Sequence, residues 1–153
     1  MIREKIAEAL KESMKAKDEA RTTTLRMVNA AIKQKDIDVA RARGDQHIGE
    51  DEVLNLLQSL IKSRRESIDL YAQGGRQDLV DKEGAEIAVI EQFLPKQMSE
   101  EETRAAIRDL AASLGASSIK DMGKVMAALK ANYAGRLDMA KASAAVKDLL
   151  TGK

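Results

Sequence analysis

Apolar side chains in this chain recur at three- and four-residue steps from one end to the other, and a single proline, Pro95, interrupts them. Such spacing puts them on one side of a helix, whereas a half-buried strand needs strict alternation. No stretch alternates with period two, and the β-branched and aromatic clusters that mark strands are missing. The expected fold is all-α. Ile2, Ile6, Leu10 and Met14 define a first helix ending near Lys17, and Leu25, Val28, Ala31 and Ile32 a second from Arg21 to about Arg43, stopped by Gly44. A third runs from Glu50 with Val53, Leu57, Leu60, Ile61, Ile68 and Tyr71 inward, its opening acids suiting the positive end of the helix dipole.

Gly74-Gly75 takes positive φ without a Cβ clash and ends that helix. A fourth, carrying Leu79, Ile87, Ile90 and Leu94, then reaches Pro95, which drives its predecessor out of the α region. A module boundary is expected there, giving a helical hairpin or bundle module at 1–95 and a compact three-helix tail at 96–153. In the tail, Ser99 and Glu102 have capping-box spacing ahead of Ile107, Leu110 and Leu114, with Gly115 as the stop. Ser118 and Asp121 repeat it before Met122, Val125, Met126 and Leu129, and Asp138 caps a last helix with Val146, Leu149 and Leu150 inward. So short a tail has a small core and is expected to be the less stable module.

With 44% apolar residues the chain can fill packed cores, yet no run is long enough to cross a bilayer. The first residues mix acid and base, with Glu4, Glu8 and Glu12 arguing against a targeting segment, and the absence of cysteine suits a reducing compartment. The expectation is a soluble, cytoplasmic protein with no membrane partner. Net charge is +1, but residues 1–95 hold 16 Lys and Arg against 18 Asp and Glu, and residues 96–153 hold 10 against 7. The tail is therefore the cationic part. The aromatic residues are Tyr71, Phe93 and Tyr133, too few to read single strands by stacking, so any RNA binding must rest on phosphates and shape.

Catalytic chemistry finds little footing. Thr22-Thr23-Thr24 and Ser117-Ser118 sit where hydroxyls cap helix starts, and no strand-to-helix elbow surrounds them. Glu83 and Glu86 read as a solvated acidic pair. His47, the sole histidine, could recruit Asp45, Glu50 and Asp51 only into an unspecific site, so neither a metal nor another cofactor is assigned. No residue is assigned a catalytic role. Lys62, Arg64, Arg65 and Arg76 are dense in charge, but Glu66, Asp69, Asp78 and Glu86 lie close enough to take them as internal ion pairs. Lys120, Lys124, Lys130, Arg136 and Lys141 are the candidate nucleic-acid-binding set, able to line one groove around the start of one tail helix, its exit loop and the start of the next. Gly123 would admit a close approach and Arg136 follows flexible Gly135. The alternative is equally open: Gly123 serves tight helix packing and Arg136 pairs with Asp138.

Four runs, in order, carry a family resemblance over essentially the whole chain: Arg21 to Met27 leading to Ala31-Ile32-Lys33 and Ile37-Asp38; Lys62 to Pro95; Asp121 to Met126; and Gly135 to Asp138. Together they resemble the YqeY-like proteins, which are similar to the tail of the GatB subunit of the glutamine-dependent aminoacyl-tRNA amidotransferase. Two departures fall together: residues 130–134 lack the family's proline-containing loop, and Leu137 stands where a small residue is usual. The resemblance implies recognition of tRNA or another structured RNA, and an inherited label of carbon-nitrogen ligase with glutamine as amido-N-donor. That reaction activates a carboxylate with ATP, and the sequence has neither a phosphate-cradling glycine loop nor a magnesium-holding carboxylate cluster. Turnover would need an amidotransferase or other protein partner. A different class, a helical protein-protein adaptor presenting a groove on helices two to four, needs no basic surface.

Overall fold

A computed structural model describes residues 1–152; Lys153, the last residue of the expected tail, lies outside the described residues. The fold is all-α: α1 (Ile2–Lys15), α2 (Glu19–Lys35), α3 (Glu50–Gln73), α4 (Gln77–Glu91), α5 (Glu100–Leu114), α6 (Met122–Tyr133) and α7 (Met139–Thr151), with no strand among the described residues. Two compact units divide the chain, Met1–Leu94 and Pro95–Lys153.

In the first unit α3 and α4 form an antiparallel-connected hairpin through Gly74 and Gly75, the latter at φ +71°, and α1 and α2 pack against it. Ile6, Leu25, Val28, Ile32, Val53, Leu57, Ile61, Ile87 and Ile90 fill the core. The buried stripe of α1 differs from the expected one. It is Ile2, Ile6, Ala9 and Ser13, while Met14 is exposed. Each four-residue step over-rotates a helix by about 40°, so a series of such steps leaves the packed face, and mixed steps of four and three stay on it. A serine consequently enters the core, where Ser13 Oγ and Thr22 Oγ1 share a hydrogen bond of 2.8 Å. Thr22 is thus a core partner, and the cap of α2 is Asp18, whose carboxylate accepts from the Arg21 N–H at 3.1 Å.

Beyond Lys35 the second helix changes its winding instead of ending, passing through a π turn at Asp36–Ala40 and a 3-10 turn at Arg41–Arg43 before Gly44 stops it at φ +90°. Ile32, Asp36 and Ala40 are all buried. The wider π winding counters the drift of four-residue steps and keeps these three in line. Asp36 is only 5% exposed, and its carboxylate accepts both Nη groups of Arg3 at 2.9 Å and the Ile48 N–H at 2.9 Å. His47, in the loop after Gly44, places Nδ1 3.3 Å from the same carboxylate. One acid therefore fastens α1, the end of the second helix and the loop before α3.

The second unit wraps α5, α6 and α7 around Ile107, Ala111, Val125, Leu129, Leu137, Ala142 and Val146. Its ends follow the expected chemistry. Ser99 Oγ accepts from the Glu102 N–H and Glu102 returns the bond to the Ser99 N–H, both at 3.1 Å. Asp138 Oδ1 accepts from Ala140 and Lys141 at the start of α7. Asp121 takes the N–H groups of Ser117 and Ser118, closing a 3-10 turn at Ile119–Asp121 ahead of α6. Leu114 and Leu149, expected inside, are 42% and 39% exposed, while Ala111 and Ala142 are among the residues that fill the core.

The Arg3, His47 and Ile48 contacts hold the Asp36 carboxyl well below the usual carboxylate range, the Arg3 bonds contributing most and burial opposing them. A carboxyl depressed in the folded state stabilises fully above its unfolded pKa of about 4, and that contribution is lost as pH falls toward the folded value. Asp36→Ala should cost about 3 kcal/mol in urea unfolding at neutral pH, because Arg3 loses its buried partner. The acid-side decline in stability below about pH 4 should also flatten in Asp36→Asn; an unchanged profile would remove Asp36 as its cause.

Candidate nucleic-acid interface in the three-helix tail

Arg136 sits in the short connection between α6 and α7, and it is there that the tail is closed. Gly135, buried and at φ +78°, turns the chain back, and its carbonyl accepts from Gln97 Nε2 at 2.6 Å. The Arg136 carbonyl accepts from the Met98 N–H at 2.9 Å, and Arg136 Nε donates to the Lys96 carbonyl at 3.0 Å. Its guanidinium carbon lies 5.8 Å from the centre of the Tyr133 ring, within cation–π range. This takes the place of the alternative ion pair with Asp138, whose carboxylate is engaged in capping α7. Arg136 is a fastener of residues 96–98.

Leu137 follows with 2% exposure and belongs to the tail core. Its apolar bulk is therefore used for packing.

Lys120, Lys124, Lys130 and Lys141 are exposed. Lys120 stands in the 3-10 turn and Lys124 one helical turn later, so they neighbour each other along one edge. Lys130 is six residues beyond Lys124 on α6, which turns it about 120° away around the axis, and Lys141 opens α7. The five expected cations thus resolve into a close pair, two separate lysines and a structural arginine. Between the pair, Gly123 is exposed, and a Cβ built there meets nothing within 4 Å. Tight helix packing does not explain it.

Electrostatically the edge is mixed. The Asp121 carboxyl is held below its ordinary pKa by the Ser117 and Ser118 N–H groups and then by the nearby Lys124 charge. An acid thus stays ionised beside the lysine pair and offsets part of its field.

The other cationic group behaves differently. Arg64, 15% exposed, donates to Glu86 at 2.9 Å and lies 3.9 Å from Glu83, while its Nη1 binds the Leu60 carbonyl. Arg65 pairs with Glu91 and Arg76 with Asp78, at 3.2 and 3.0 Å. All three arginines pair with acids of their own unit: Glu86 and Asp78 are among the acids expected, Glu91 is not, and the Arg65 and Arg76 pairs lie at the surface. Glu83 and Glu86, read as a solvated surface, are instead half-buried and flank Arg64. Helix periodicity could have found them, since Glu83 and Glu86 stand a turn before Ile87 and Ile90 on the packed side of α4. Among the described residues no three His, Asp or Glu side chains gather as they would to hold a metal ion.

The class is a two-unit all-α chain that ends in a three-helix tail. The chain belongs to the YqeY-like family: the family's sequence profile, described as "Yqey-like protein", matches residues 3–150. Among curated proteins it is similar to "Altered inheritance of mitochondria protein 41, mitochondrial" of Lachancea thermotolerans, 36% identical over 111 residues, covering 71% of this chain and 57% of that protein. The namesake proteins of Eremothecium gossypii and Kluyveromyces lactis are 39% and 38% identical over 85 and 84 residues, covering 56% and 55% of this chain and 44% and 43% of theirs. The chain spans about half the length of the curated relatives it matches. Those relatives are named mitochondrial, whereas the sequence reading led to the cytoplasm; no helix among the described residues is long and apolar enough to cross a membrane.

Two substitutions separate the roles of neighbouring residues. Gly123→Ala should raise thermal stability by about 0.5 kcal/mol, because it replaces a glycine in the first turn of α6 that has open space around it. Arg136→Ala should lower it by about 1 kcal/mol through loss of the bond to Lys96. Calorimetry of each variant reads both; a neutral Arg136→Ala would show that the tail closes without this side chain.

Proposed function

We propose that this protein is a GatB-tail-like accessory factor that binds tRNA or another structured RNA through its backbone, using the Lys120–Lys124 edge of α6, with Lys130 and Lys141 as outlying phosphate contacts. The observation that carries the reading is the exposed glycine between two exposed lysines, where the helix gives up stability and gains no packing. A backbone phosphate can come closest to a helix where no Cβ stands, and lysines a turn apart supply the charge. The proposed role of Arg136 is indirect, since its Nε is engaged within the tail. Amidotransfer with glutamine as donor is proposed only as the work of a partner enzyme. We keep the cytoplasm as the proposed compartment; a cysteine-free chain suits the mitochondrial matrix of the relatives' names equally well.

The test is a titration of the purified chain with bulk tRNA and with a length-matched DNA duplex at two salt concentrations. Preference for tRNA, weakening steeply as salt rises, is expected. Lys120→Glu with Lys124→Glu should weaken tRNA binding at least about tenfold, since two phosphate contacts become repulsive, with helical content unchanged. Equal and weak binding to both nucleic acids, or an unaffected double variant, would turn the reading toward a protein partner.

A further inference from the structure

We propose that the groove between α5 and α7 docks an acidic amphipathic helix of a partner protein. It is lined by Arg104, Ile107 and Arg108 from α5 and by Ala145, Asp148 and Leu149 from α7, and encloses about 260 Å³. That is below the volume of ordinary small-molecule sites and matches an inserted aliphatic side chain or two. The lining is mixed: charged side chains share it with Ala145 and with Leu149, which is 39% exposed at the mouth and is the apolar surface the groove offers, while Ile107 beneath is almost fully buried.

The rim decides what the occupant carries. Arg104 and Arg108 stand one helical turn apart, the spacing at which acids recur along one face of a helix. The Arg108 and Asp148 side chains make no hydrogen bond or ion pair with another described residue. Arg104 pairs only with Glu100 at 2.8 Å, in a contact where the side chains are 62% and 80% exposed, and such surface pairs exchange readily. Two arginines on one wall and one aspartate on the other therefore favour a helix with an aliphatic anchor, acids toward α5 and a basic residue toward α7. RNA fits this groove poorly, because Asp148 on one wall and Glu100 beside Arg104 on the other both repel phosphate. The inference does not depend on RNA binding at α6.

A display library of randomised amphipathic helices, panned on the full chain and counter-selected on an Arg108→Glu/Leu149→Lys chain, provides the probe. Circular dichroism first checks that this variant keeps its helices. Enriched peptides should share an aliphatic anchor with acids one turn apart and bind Arg108→Glu at least about tenfold more weakly, an effect typical of a paired interface charge. Exchanging the facing acid for lysine should restore much of the loss. On the unmodified chain, NMR amide shifts caused by the peptides should centre on the six lining residues, a readout that stands even if the variant misfolds. No enrichment, enrichment without acids, shifts elsewhere, or movement of these amides by tRNA but not by peptides would overturn the proposal.

Discussion

The tail depends on one hydrogen-bonded stitch, in which the Gln97 side chain, the Met98 N–H and the Lys96 carbonyl meet Gly135 and Arg136 across nearly forty residues of sequence. Three helices of this length bury too little to fix their own connections, so the hydrogen bonds of the irregular segments set the geometry. With the stitch made, Ser99 is placed to cap α5, Leu137 turns into the core, and Asp138 is left to cap α7. The exposed lysines of α6 are carried on that frame, which is why an arginine that a charge count assigns to the ligand is spent on the fold.

The larger unit solves a similar problem with a buried charge. Asp36 would be costly inside the protein without partners, and Arg3, the Ile48 N–H and His47 surround it. Removing its partner would leave an isolated ion, so the node ties α1 to the loop before α3 with high penalty for error. The π turn is part of the same arrangement, since it directs the carboxylate inward where an α-helix would carry it around the axis. Structure and charge are mutually required here, while the exposed lysine edge of the tail is required by nothing in the fold.

Local chemistry was legible in the sequence wherever it acts over one turn. The Ser99–Glu102 box, the Asp138 cap and the glycine stops follow from spacing alone, as does Glu86, though not Glu83, as a partner of the arginine group. What escaped depends on which face a helix finally turns inward. Four-residue spacing named Leu10 and Met14 on α1, but the stripe that stays in register takes Ala9 and Ser13, a small and a polar residue that apolar counting passes over. Asp36 escaped for the same reason: an acid in a charged stretch looks solvated until Arg3, thirty-three residues away, is brought to it. In the candidate site, Lys120, Gly123 and Lys124 could be grouped from sequence, whereas the role of Arg136 and the Arg104–Arg108 wall needed the tertiary pairing of connections and helices.

In the proposed function RNA lies along the α6 edge of the tail and leaves the larger unit free. Hydrogen–deuterium exchange of the full chain with and without saturating tRNA addresses it most directly, because it reports every segment at once. Slowed exchange concentrated in residues 119–126 is expected, with a smaller effect at the start of α7. Protection confined to residues 1–94, or none at saturation, would contradict it.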